Sequence, residues 1–246
     1  MLTVLGCSGT HTGRDRMCSS YLVTAGDYRL LLDCGNGSLS NLQRVCDVTD
    51  VEAILVTHIH PDHFADLYGL YYARRFHPRG PRQVALYGPS GFFAFASQLI
   101  SSDDEFGELC RFEPVKAGQV LRLGPLIVSL FAANHPVETL ACRVECDGRA
   151  MTYTADSAPS PNLVHAARDA DVLLADATWL ERQRPLPADV HMTGHEAGNL
   201  AAEAGVGRLI VTHVYPSNDP QEVVVEAAGA FDGDVIAAYD LLEVAV

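Results

Sequence analysis

The sequence predicts an α/β protein in which two mixed β-sheets pack face to face with helices outside. Three observations carry that reading. The first half opens with short apolar, β-branched runs joined by glycine turns. The second half alternates such runs with helical patterns. Two apolar runs, ILVTH and LIVTH, end alike in a histidine, as two related β-rich halves would. Taken in order, LTVLG is a strand leading into a glycine-containing loop. SSYLVTAGDYRLLLDCG is a hairpin turning at Ala25, Gly26 and Asp27. VEAILVTH suits a strand buried on both faces. FADLYGLYYARRF has helical spacing, QVALYG is a strand, and PSGFFAFASQLI becomes helical after its proline and serine. LIVSLFAA, TLACRVEC and RAMTYTAD are strands, with a turn at Asp147 and Gly148 between the last two. A helix near 162–168, the strand DVLLAD, a helix after Thr193, the strand RLIVTH, a helix near 221–230 and the strand VIAAY complete the pattern. Thr193 with Glu196 three positions later is a capping box, and Gly205 ends that helix.

Composition bounds the function. A chain of 246 residues with 48% hydrophobic content supports one sizeable domain, 1–246, and argues against disorder. No apolar run reaches the roughly 18 residues that a membrane span needs. The start, MLTVLGCSGTHTG, lacks a basic segment followed by a long apolar one, so a cytoplasmic location is expected. Seven cysteines without a C-x-x-C read as reduced thiols, and Cys142 and Cys146 as small strand residues. With 31 acidic and 17 basic residues the net charge is −14, which opposes binding of a long nucleic acid. The densest basic cluster, Arg74, Arg75, Arg79 and Arg82, reads as a solvated helix end and loop; the other reading is contact with a substrate phosphate.

The chemistry concentrates in ILVTHIHPDHFADL. His58, His60, Asp62 and His63 put four potential metal ligands into six positions straight after a buried strand. Imidazole suits zinc and its neighbours, and a carboxylate adds charge to hold a second cation. One such cluster cannot complete two ions. His135, Asp156 and His213 each follow an apolar strand and supply the remaining donors. On this reading His58, His60 and His135 hold one ion, Asp62, His63 and His213 the other, and Asp156 bridges.

T-H-x-H-x-D-H followed by separated His, Asp and His resembles the metallo-β-lactamase superfamily over essentially the whole chain. The resemblance implies a four-layer αββα sandwich and hydrolysis by a hydroxide bridging two divalent cations, zinc by default, with manganese or iron suiting the same donors. Asp156 stands where exported zinc β-lactamases usually have cysteine, and nothing after His213 is similar to the helical domain of glyoxalase II. The pattern H-x-T-x-x-x-A from His191 resembles the ribonuclease Z-like phosphodiesterase branch. There the histidine acts on phosphate with an acidic residue behind it; here that residue is Asp176, where the ribonucleases more often have glutamate. Only PVETLACRVECDGRAMTYTA separates His135 from Asp156, with no room for the long arm of transfer-RNA-processing members. The stretches VLGCSGT, LYGP, HMTGHEAG and AEAGVGRLIVTH are similar to compact actinobacterial-type members that hydrolyse cyclic nucleotides. The expected activity is therefore hydrolysis of a small phosphodiester, with Asp62, His191 and Asp176 catalytic. The alternatives are a ribonuclease Z-like RNA 3′-processing endonuclease, a thioesterase or lactonase, and a non-catalytic binding protein. Dimers among relatives suggest a homodimer. The loop at 8–10 reads as a tight turn or as a source of backbone N–H groups at the cleft mouth. Tyr215 and Asn218 are candidates for the pocket lining, His195 reads as structural, and His11, His77 and His165 have no comparable context.

Overall fold

The computed structural model describes residues 1–98 and 103–246. β1 (Leu2–Gly6) pairs antiparallel with β2 (Ser20–Ala25), which turns back into β3 (Tyr28–Leu32). Gly26 in that turn has φ 57°, the left-handed conformation a tight hairpin needs. β4 (Ala53–Leu55), β5 (Val84–Gly88) and β6 (Cys110–Pro114) extend this sheet in parallel from β3. The second sheet mirrors the plan. β7 (Val120–Leu123), β8 (Leu126–Ala132), β9 (Leu140–Cys146) and β10 (Arg149–Tyr153) run antiparallel. β11 (Val172–Asp176), β12 (Arg208–Thr212) and β13 (Asp234–Ala237) then continue in parallel. β14 (Glu243–Val244) returns to the outer edge of β1, so among the described residues each sheet has seven strands.

Burial on both faces explains why these strands read as unbroken apolar runs. Along β3, Leu30 and Leu32 point between the sheets and Leu31 points outward. Along β12, Ile210 points between the sheets, while Leu209 and Val211 face the helices on the far side. The outer layer of the first sheet is α1 (Ser38–Val45), α2 (Leu67–Arg75), α3 (Phe92–Ser97) and α4 (Asp103–Leu109). That of the second is α5 (Pro161–Ala167), α6 (Gly194–Ala204) and α7 (Pro220–Ala228). The result is the αββα sandwich. β4, β8, β10, β11 and β12 all deliver their C-terminal ends to one rim, the usual place for ligands in open sheets with parallel strands.

Some elements differ from expectation. α1, β6, β7 and β14 carry too little apolar pattern to be read from sequence; α1 buries only Ser38, Asn41 and Leu42. α3 is shorter than PSGFFAFASQLI suggests, and positions 99–100 of that stretch lie outside the described residues. α6 has the foreseen Thr193–Glu196 capping box and closes at Gly205 with φ 68°. Among the described residues no helix is long and apolar enough to cross a membrane.

Within the arginine cluster Arg74 alone corrects the solvated reading; Arg75 is half-buried, and Arg79 and Arg82 are exposed. Arg74 is 1% exposed. Its guanidinium donates to the backbone carbonyls of Val48, Val51, Arg82 and Gln83, tying α2 to two loops. Arg75 pairs with Glu108 and Arg79 with Asp47. Lysine cannot reproduce a planar fork with five donors. Arg74→Lys should therefore destabilise the fold by about 2–3 kcal/mol, since buried carbonyls lose their donors. Urea denaturation checks this; an unchanged midpoint would show the fork to be dispensable.

Candidate metal centre

The sequence-predicted donors converge at the rim in two groups that share Asp156. In the first, His60 turns its Nδ1 inward, 3.1 Å from His58 Nε2 and 3.1 Å from His135 Nε2. Asp156 Oδ2 lies 3.6 Å from His58 Nε2. In the second, His63 Nε2 and His213 Nε2 are 3.3 Å apart. Asp62 Oδ2 is 3.3 Å from His213 Nε2 and 3.7 Å from His63 Nε2. Asp156 Oδ1 stands 3.1 Å from His63 Nε2 and 3.3 Å from His213 Nε2. Asp156 thus turns one oxygen to each group. His58, His63, Asp156 and His213 are buried; His60, Asp62 and His135 are partly open to the cleft.

A second set of contacts fixes which nitrogen of each ring faces inward. The Thr57 hydroxyl donates to Asp33 Oδ2, so it accepts from His58 Nδ1 at 3.0 Å. Asp33 Oδ2 also accepts from His63 Nδ1 at 2.8 Å and from the Tyr153 hydroxyl at 3.0 Å. The Thr178 hydroxyl donates to Asp176 Oδ1 and accepts from His213 Nδ1 at 2.8 Å. The Val190 carbonyl accepts from His135 Nδ1 at 2.9 Å. With Nδ1 carrying the proton, the Nε2 lone pairs of these four rings point at one another and at carboxylate oxygens. The Asp156 Oδ1 atom is buried and has no hydrogen-bond partner.

Such a set suits divalent cations. Ligand nitrogens 2.0–2.1 Å from zinc in a tetrahedron lie about 3.3 Å apart, close to the spacings here. Burial and the neighbouring His63 hold His58 well below the usual imidazole pKa, and burial lowers His60 and His135 as well. Burial also opposes charge on His63, but Asp156 and Asp33 outweigh it and raise its pKa. The carboxylates therefore call for positive charge, which a proton on His63 or a cation can answer. Asp62 stays ionised because His213 and His63 overcome the cost of its burial.

His191 sits beside the second group. Its Nδ1 donates to Asp176 Oδ2 at 2.7 Å, leaving Nε2 on the other side of the ring, and its ring centroid is 5.1 Å from that of His213. Asp176 also accepts from the Ser157 and Thr178 backbone N–H groups, which lock it in place. His195 occupies the first turn of α6, outside both groups. His77 pairs with Asp47, and His165 packs on Phe131. The glycine-containing loop does reach the centre: Thr10 N–H donates to Asp62 Oδ2 at 2.8 Å. Gly9 is required there, because a Cβ would stand 2.7 Å from His213 Nδ1. Sequence reasoning missed Asp33, Thr57 and Thr178. Asp33 was detectable as an aspartate ending the apolar strand RLLLD, the same signal that marked Asp156 and Asp176.

Burial disfavours a charged His191, but Asp176 outweighs it by charge and hydrogen bond and lifts its pKa to about 9. The folded value lies above the unfolded one, near 6.5. Its stabilising effect is therefore complete below about pH 6.5 and fades as pH rises through about 9. In protein stripped of divalent cations, NMR should follow this ring titrating near pH 9, and Asp176→Asn should return it to 6.5 or lower. Titration near 6.5 in the parent protein would show that Asp176 does not govern it.

The family description "Beta-lactamase superfamily domain" matches residues 28–214. An uncharacterized protein of Mycobacterium tuberculosis is 37% identical over 243 residues, covering 96% of this chain and 88% of that one. The probable metallo-hydrolase YhfI of Bacillus subtilis is 31% identical over 237 residues, covering 95% of each chain. Its crystal structure superposes with a TM-score of 0.89, covering 98% of this chain and 97% of that one. A ribonuclease Z of Haloarcula marismortui is 29% identical over 298 residues, covering 98% of this chain and 95% of that one. With both sheets, the strand-end donors and this match over most of its length, the chain belongs to the β-lactamase superfamily, among its metallo-hydrolases.

Proposed function

We propose that this chain is a binuclear phosphodiesterase acting on a small phosphodiester, a cyclic nucleotide foremost. The carrying observation is the Asp176–His191 pair set against two donor groups that share one carboxylate. His58, His60, His135 and Asp156 would hold one cation, and Asp62, His63, His213 and Asp156 the other, with zinc the ion that best suits this nitrogen-rich set. Bound there, two divalent cations supply an acidified water and draw charge off phosphoryl oxygens.

The chain's own residues do the rest. Asp62, braced by Thr10 N–H, is the carboxylate placed to accept a hydrogen bond from the attacking water and orient it. Asp176 keeps the His191 proton on Nδ1 and leaves Nε2 to face the substrate. Protonated at that atom, His191 steadies the charge building on phosphorus-bound oxygen or hands its proton to the leaving oxygen. A donor of this kind contributes about 10²–10⁴-fold. The net charge of −14 and the short His135–Asp156 connection favour a small substrate. The free cysteines, five of the seven buried, agree with a reducing cytoplasmic setting. The ribonuclease Z relative keeps RNA endonuclease activity as the second reading.

His191→Ala should lower kcat by about 10²–10⁴-fold while metal content, read by elemental analysis, stays at the parental level. Parental turnover would remove His191 from the mechanism. Asp156→Ala should lose metal itself, because both groups then lose the donor they share and the first loses its only carboxylate; full occupancy would refute the bridge. Cyclic AMP, cyclic GMP, a 2′,3′-cyclic nucleotide, a precursor transfer RNA and an acyl thioester should be assayed side by side. Fastest turnover is expected on a cyclic nucleotide. Preference for the RNA would move the reading to the endonuclease, and preference for the thioester would refute phosphodiester chemistry.

A further inference from the structure

The row of rings at the centre does not stop at His191. From His191 to Trp179 the centroids are 6.2 Å apart, and from Trp179 to Tyr215 they are 5.3 Å apart with the planes inclined by only 27°. His11 then meets Tyr215 edge-on at 5.8 Å. Trp179 and Tyr215 are partly exposed and His11 is exposed. The metal chemistry uses none of these three side chains.

Their backbones are pinned to the centre. Trp179 follows Thr178, which holds His213, and Tyr215 lies two residues after His213. Tyr215 N–H and the Asn218 side-chain amide both donate to the Thr178 carbonyl. Trp179 N–H donates to the Met192 carbonyl, and the Trp179 carbonyl accepts from Gly194 N–H, on either side of the Thr193 cap. The backbones that carry the two rings are therefore fixed relative to both His191 and His213, and the rings stack on each other. A rigid aromatic surface at a polar cleft binds a flat π-system at low cost in conformational entropy.

We propose that Trp179 and Tyr215, with His11 at the outer edge, form a stacking wall that selects substrates whose phosphodiester carries a flat heteroaromatic ring, as in a nucleotide. This rests on the phosphodiesterase reading above and adds to it the feature that discriminates among phosphodiesters. One ring next to the phosphorus is enough to engage the wall; a polymer is not required.

The chain contains a single tryptophan, so fluorescence excited beyond the absorption of its nine tyrosines reports Trp179 alone. AMP serves as a probe with a base and ribose 5-phosphate as one without, both added to the metal-loaded protein. AMP should quench Trp179 saturably. Ribose 5-phosphate should compete for the same site, bind more weakly and leave the emission unchanged. Calorimetric affinities for the two probes give a ratio. Trp179→Leu, which keeps apolar volume but removes the ring, and Tyr215→Ala, at a partly exposed position, should each lower that ratio by about 5- to 100-fold. Trp179→Phe should restore most of it. If the ratio stays at the parental value in both variants while cyclic nucleotides are still hydrolysed, the wall is refuted and the phosphodiesterase stands. If neither probe binds and no phosphodiester is hydrolysed, the phosphodiesterase reading falls and takes the wall with it.

Discussion

The structure depends on the direction in which a few imidazole protons are held. Four rings have an oxygen fixed against Nδ1: Thr57 for His58, Asp33 for His63, Val190 for His135 and Thr178 for His213. Each ring must then aim a lone pair at the interior of the cluster. Lone pairs converging on two carboxylates repel unless positive charge lies among them. The repulsion is built in by neighbours that are not themselves donors to the cluster, and those neighbours set both the preferred tautomer and the orientation of the ring.

Holding such a cluster requires unusual backbone. The chain adopts positive φ at Asp33, Ala155 and His213, each at or next to a residue of the centre. Residues without glycine's freedom cost of order 1–3 kcal/mol in sparsely populated backbone regions. Surrounding hydrogen bonds compensate: Asp33 is gripped through Thr57, His63 and Tyr153, and His213 through Thr178. At the centre these positions fall where strands end and the chain must turn back over the rim, while others such as Asp15 and Asp147 lie in ordinary turns.

Much of this was legible in the residues. The strand–helix order, the paired sheets and the seven clustered donors all carry local signals: apolar runs, capping residues, and histidine or aspartate at a strand end. What stayed hidden has no local signal. Arg74 looks like any arginine near a helix terminus, yet it is enclosed because two loops fold over it and bring four carbonyls to its guanidinium. Thr57 and Thr178 are unremarkable until tertiary packing sets each hydroxyl between an aspartate and a histidine. The loop at Gly9 reads as a turn, and only the three-dimensional approach of His213 shows why a side chain cannot stand there. A cavity of about 600 Å³ beside Val23, Tyr28, Leu126 and Met151 was equally invisible; it opens near the Gly26 turn, at the strand ends remote from the donors.

Two phenol groups bridge the sandwich directly beneath the rim. Tyr153, from the second sheet, donates to Asp33 on the first, and Tyr21, from the first, meets Thr212 on the second at 2.8 Å. Their rings also touch, with centroids 4.8 Å apart. Four of the seven donors follow a strand of the first sheet and three follow strands of the second, so the gap between sheets sets the gauge of the cluster. The tyrosines act as spacers of fixed length, and drift elsewhere in the interior can be absorbed without retuning the chemistry. Shortening either spacer would let the two halves slide, and the enzyme would lose its alignment while every donor was still in place.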